Sequence, residues 1–119
     1  ANPPAEVAAA VARLDGVRRT IQHALDGRVL VFPTTPGPAP ALTADTAELE
    51  RTRAATTAMT ALASVGGLPA VSAPGLSVGG APVGISLVGA AGTDRALVRT
   101  AERMLRDGAE PCLPAVAAD

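Results

Sequence analysis

Apolar residues recur every three or four positions from Glu6 to Leu25, at Val7, Val11, Leu14, Val17, Ile21 and Leu25, with charges such as Arg13 and Arg19 between them. That period is one face of an amphipathic α-helix, with Gly16 the point where it would bend. Asp26-Gly27 should close it, because glycine takes the left-handed conformation that ends helices at least cost. The next apolar run, Val29-Leu30-Val31-Phe32, is continuous, rich in β-branched residues and stopped by Pro33, so it predicts a buried strand. Residues 33–46 hold Pro33, Pro36, Pro38, Pro40 and Gly37, which exclude a persistent helix or strand and predict a stiff loop.

A second helix is expected over about 47–64, although Thr52, Thr56, Thr57 and Thr60 lower its intrinsic propensity. Leu68 to Ser72 reads as a strand. Leu76 to Val78 and Pro82 to Val88 read as the arms of a hairpin, since Gly79-Gly80 permits the positive φ angles of a tight turn. In the second arm Val83, Ile85 and Leu87 share one face, while Gly84 and Ser86 on the other leave room for a neighbouring element. Thr93 can cap a last helix, Asp94 favours its N-terminus, and Leu97, Val98, Ala101, Met104 and Leu105 form its apolar stripe. Gly108 should end that helix, and residues 109–119, with two prolines, should form an irregular tail. Helix, strand, helix, strand, strand, helix is the order of an α/β layer with three or four strands.

A chain of 119 residues has room for one hydrophobic core, built from Val, Leu, Ile and Ala because Phe32 is the single aromatic residue. Ten basic and eleven acidic residues nearly cancel, leaving no electrostatic footprint for nucleic acid or an anionic membrane. No run approaches the roughly 18 apolar residues of a membrane span, and residues 1–4 do not have the make-up of a secretory signal. Cys112 is the only cysteine, which excludes an internal disulfide and makes a reducing, cytoplasmic setting the expectation. Residue 1 is not Met, so translation is expected to begin upstream.

Candidate chemistry is sparse. All ten cations are Arg, and Lys is absent. Ser64, Ser72, Ser77 and Ser86 could be paired on paper with His23, the sole histidine, but no Gly-x-Ser-x-Gly elbow surrounds any of them. Ser72 and Ser86 are expected as small packing residues in strands, and His23 as a surface residue favoured by a helix C-terminus. Gly89-Ala90-Ala91-Gly92-Thr93 joins a strand to a helix, as phosphate loops do, yet it has neither a P-loop Lys nor the third glycine of a dinucleotide fingerprint. Arg95, Arg99, Arg103 and Arg106 are spaced as a solvated helix face. Neither a metal nor an organic cofactor is implied.

Gly66-Gly67-Leu68-Pro69-Ala70-Val71-Ser72-Ala73-Pro74, then Ala81-Pro82-Val83-Gly84-Ile85-Ser86-Leu87-Val88-Gly89, resemble the C-terminal pattern of the amidase signature family. Val29-Leu30-Val31-Phe32-Pro33-Thr34-Thr35-Pro36 with Ala39-Pro40 resembles that family's strand and Pro-Thr loop, and the three blocks stand in the family's order. The resemblance implies the C-terminal part of that fold, a partial mixed β-sheet of three to four strands flanked by about three helices, forming one incomplete domain. It also implies cleavage of carboxamides by a Ser whose proton passes through a second Ser to a Lys, the base such a poor nucleophile needs. The family keeps those residues in its N-terminal half. With no Lys, the chain should lack a catalytic residue, be inactive alone, and supply sheet and cleft wall to an N-terminal companion polypeptide, or else self-associate.

In the family the helix before the Gly-Leu-Pro strand borders the cleft and carries a Thr and an Asn. Thr60 matches the Thr by spacing, and Ser64 stands in place of the Asn. One branch of the family has, one turn earlier, an acidic residue that holds a substrate amino group; Thr57 is found there instead, so an amino-acid-type substrate is not expected. Thr57 and Thr60 are therefore the candidate substrate-binding residues, against the plainer possibility that both hydroxyls bond back to the preceding helical turn. The competing expectation is a non-catalytic binding or interaction module that keeps the fold without its chemistry.

Overall fold

The computed structural model describes residues 3–107 and contains three helices and three strands. Helix α1, Pro4–Ala24, begins with Pro4, whose ring suits the first helical turn, and runs unbroken through Gly16. Strand β1, Leu30–Pro33, leads through the proline loop to α2, Thr46–Gly66. The Asp45 side chain caps α2 by accepting a 2.7 Å hydrogen bond from the Glu48 amide. Strands β2, Ala70–Val78, and β3, Ala81–Val88, form the expected hairpin, and α3, Asp94–Asp107, closes the described chain.

The sheet order is β1-β3-β2, with both pairings antiparallel. β1 and β2 therefore run in the same direction, joined by α2, with β3 inserted between them. The mixed sheet implied by the resemblance is, among these strands, antiparallel throughout, because the only pair of parallel strands is separated by β3. What reads in sequence as two strands, around Val71 and around Val78, is one strand with a bulge between Pro74 and Leu76. Pro74 and Pro33 are tolerated because both sit on edge strands, where a missing amide hydrogen breaks no inner ladder. Gly79 and Gly80, at φ 58° and 82°, make the two-residue turn that the twist of the hairpin requires.

Two apolar clusters lie on opposite faces of the sheet. On one, Ala73 and Leu87 meet Leu97 and Ala101 of α3, with Val71, Ile85 and Leu105 around them. On the other, Val88 meets Leu25 and Leu68, with Ile21, Phe32, Leu62 and Ala63 at the margin. The C-terminal half of α1 is tied to the end of α2 by Arg18 Nε donating to the Val65 carbonyl at 3.2 Å and Gln22 Nε2 to the Gly66 carbonyl at 2.9 Å.

Several expectations of burial are overturned. β1 was expected to be buried, yet Val31 is 52% exposed and Leu30 and Val29 are also open, because β1 is an edge strand with little packed over it. On α3, Leu97 and Ala101 are buried and Leu105 partly so, whereas Val98 and Met104 point away from the sheet and are exposed. Thr93 stands just before α3, but its hydroxyl donates to the Ala90 carbonyl at 2.6 Å, so it fastens the loop instead of accepting from a helix amide. Gly108, Cys112 and the tail at 109–119 lie outside the described residues.

Candidate functional site

The β ladder dictates where the hydroxyls meet. Ser86 of β3 stands opposite both Phe32 of β1 and Ser72 of β2, so Ser72 and Ser86 project from the same face. One step beyond β1, the Thr34 amide donates to the Gly84 carbonyl at 2.8 Å and carries the pairing into the proline loop. Thr34 then leans over Gly84, and its Oγ1 lies 2.8 Å from Ser72 Oγ and 2.8 Å from Ser86 Oγ. A Cβ at position 84 would come within 2.9 Å of both Ser72 Oγ and Thr34 Oγ1, so only glycine admits the cluster. The neighbouring element expected to approach closely at Gly84 is the start of the proline loop, through Thr34.

Above this cluster is a cleft of about 300 Å³ between the proline loop, the hairpin and the N-terminal part of α2, with Thr34, Thr52, Ser72, Pro38 and Pro82 in its walls. Thr35 holds the loop in shape by donating to the Gly37 carbonyl at 2.7 Å. Ser86 is buried beneath the cleft and Ser72 is exposed at its surface. None of the eleven lining residues is ionisable. Arg51 and Arg53 flank Thr52 along α2, but both are exposed and neither lines the cleft.

Among the described residues no serine is paired with a base. His23 is exposed on α1, and none of the side-chain hydrogen bonds among the described residues joins it to Ser64, Ser72, Ser77 or Ser86. Thr57 and Thr60 lie exposed on α2 outside the hydroxyl-lined cleft. Thr60 Oγ1 donates to the Thr56 carbonyl at 2.9 Å, the back-bonding that hydroxyl residues adopt in helices. No group of three or more His, Cys, Asp and Glu residues is placed to hold a metal ion among the described residues.

Thr34 was not singled out in the sequence, and Ser72 and Ser86 were expected only to pack. Their spacing carried part of the signal, since Ser72 and Ser86 each interrupt an apolar strand. What joins them is the register of three strands, which no local spacing encodes.

A second concavity, about 460 Å³ and almost wholly apolar, lies between α1 and the start of β1, lined by Ile21, Ala24, Leu25, Val29, Leu30 and Leu62 among others. It continues into the uncovered stripe of α1, where Val7, Val11, Leu14 and Val17 are 42–52% exposed. No described helix is long and apolar enough to cross a membrane.

The profile of the amidase family matches residues 4–98, a span that takes in α1, the whole sheet and the start of α3. The chain belongs to the amidase family. No curated protein and no solved structure matches it.

Proposed function

We propose that this chain is the C-terminal portion of an amidase-type hydrolase of carboxamide bonds, forming sheet and substrate-cleft wall, and that the nucleophile and its base come from polypeptide beyond these 119 residues. The observation that carries this reading is a member of the amidase family with no Lys, in which the clustered Thr34, Ser72 and Ser86 hydroxyls have no side-chain hydrogen-bond partner but one another among the described residues. A serine hydroxyl needs a base to become a nucleophile, and an Ser-Thr-Ser cluster offers none. The uncovered apolar stripe of α1 and the open face of β1 are where an N-terminal companion polypeptide or a second copy would pack. Thr57 and Thr60, exposed on α2, are kept as the residues that meet the amide substrate once that companion is in place. A single cysteine and a near-neutral charge fit a cytoplasmic protein without nucleic-acid or membrane partners.

Ammonia release from a panel of aliphatic and aromatic amides, by the chain alone and mixed with an N-terminal amidase polypeptide carrying the Ser and Lys, tests the reading. No release alone and release on mixing is expected. Release by the chain alone would refute the assignment of catalysis to other residues. No release in either arm, with tight association on mixing, would replace it with a non-catalytic interaction module.

A further inference from the structure

The apolar stripe of α1 has two different surroundings. Its C-terminal part, Ile21 with Leu25 just past the helix end, lies against the chain's own core, and Arg18 and Gln22 fasten that part to the end of α2. Its N-terminal part, Val7, Val11, Leu14 and Val17, looks to the same side by helical spacing but overhangs the body, each residue 42–52% exposed. Residues 4–17 thus form a free rod about 21 Å long at 1.5 Å per residue. Ala10, three residues after Val7 and four before Leu14, shares the stripe and admits close approach of another helix.

We infer that this free rod pairs with that of a second copy of the chain, antiparallel about a two-fold axis. The body beneath Ile21 and Leu25 sets the direction. In a parallel pair both bodies would lie on the stripe side at the same end and claim one space. Turned end for end, the bodies stand at opposite ends, and each free half fills the space beside the other. The charges agree. Glu6 and Arg13 precede Val7 and Leu14 by one residue, so they flank the stripe on one side, two turns apart. Both are exposed and neither is ion-paired among the described residues, whereas Asp15, on the other flank, is 3.9 Å from Arg18 of its own helix. The antiparallel register that sets Val7 against Leu14 brings Glu6 of each copy to Arg13 of the other, two complementary pairs for one contact. An overlap this short is at the low end of protein interfaces, so the dissociation constant should be on the order of 10–100 µM, and the stripe is open in dilute chain. Self-pairing needs none of the hydrolytic role proposed above; it commits the stripe to a second copy and leaves the open face of β1 to a companion polypeptide.

Sedimentation equilibrium of the full chain, from about 5 to about 500 µM, tests this. The mass should pass from that of one chain to that of two. Leu14→Glu, at an exposed position, should raise the dissociation constant at least tenfold while the urea midpoint of the dilute chain stays where it was. Glu6→Arg and Arg13→Glu should each raise it severalfold, and the double reversal should restore it, which a merely weakened helix would not do. A single-chain mass at every concentration, a dimer indifferent to Leu14→Glu, or a double reversal no better than either single change would overturn the inference. A Leu14-dependent dimer, with no ammonia released in either arm of the amide assay, would leave self-pairing in place and remove the hydrolytic role.

Discussion

Helices α1 and α3 are both written in the sequence as apolar stripes with charges between, and they meet different surroundings. α3 lies across the hairpin, where Leu97 is 2% exposed against Leu87 at 0%, and its arginines face solvent. α1 buries no residue within its 21, touches the rest of the fold through its C-terminal half, and leaves Val7 to Val17 open. An amphipathic pattern states that a face seeks cover, not that this chain provides it. The hairpin with α3 is a finished two-layer unit, whereas α1 with β1 presents half of one.

The sharpest expected contrast comes from deleting side chains on each side. Leu87→Ala should cost about 2–5 kcal/mol, because the cavity forms where sheet and helix close on each other, and urea denaturation should show a large fall in midpoint. Next, Gly80→Ala should cost about 1–2 kcal/mol, since φ 82° is strained for any residue with a Cβ; the same denaturation curves check it. Asp45→Ala should remove about 1 kcal/mol by uncapping α2, visible as faster hydrogen exchange at the Glu48 amide. Smallest of all, Leu14→Ala on the open stripe of α1 should change stability by under about 0.5 kcal/mol. If Leu14→Ala instead rivals Leu87→Ala, α1 is covered in solution, and sedimentation of the two variants will show whether a second copy covers it.

Much of this architecture was legible because its signals are local. The spacing of Val7 to Leu25, the paired glycines at 79 and 80, and the stripe through Leu97 and Ala101 each act within a few residues, and helices and a hairpin formed where they lie. Burial was less legible. Val29 to Phe32 has the composition of an inner strand but takes an edge, because the position of β1 is set by β3, more than fifty residues away. The bulge after Pro74 was hidden for a related reason: a proline and a glycine read as a break until pairing with β3 shows the strand continuing past them. The hydroxyl cleft needed the same long-range register, since Thr34, Ser72 and Ser86 are 38 and 52 residues apart along the chain from Thr34. Thr60, by contrast, behaves as helix chemistry alone dictates.

The sheet order β1-β3-β2 also bears on how the protein is made. The strand that comes last in sequence occupies the middle, so as the chain leaves the ribosome β1 and then β2 emerge with no edge to pair with until β3 follows. β2 then finds β3 across a two-residue turn, a matter of microseconds, whereas β1 must close a loop of about fifty residues to reach its place. Throughout synthesis the Val29-Leu30-Val31-Phe32 segment is therefore an unpaired apolar strand waiting for its template, and the prolines that follow it limit how far a stray partner can extend along it.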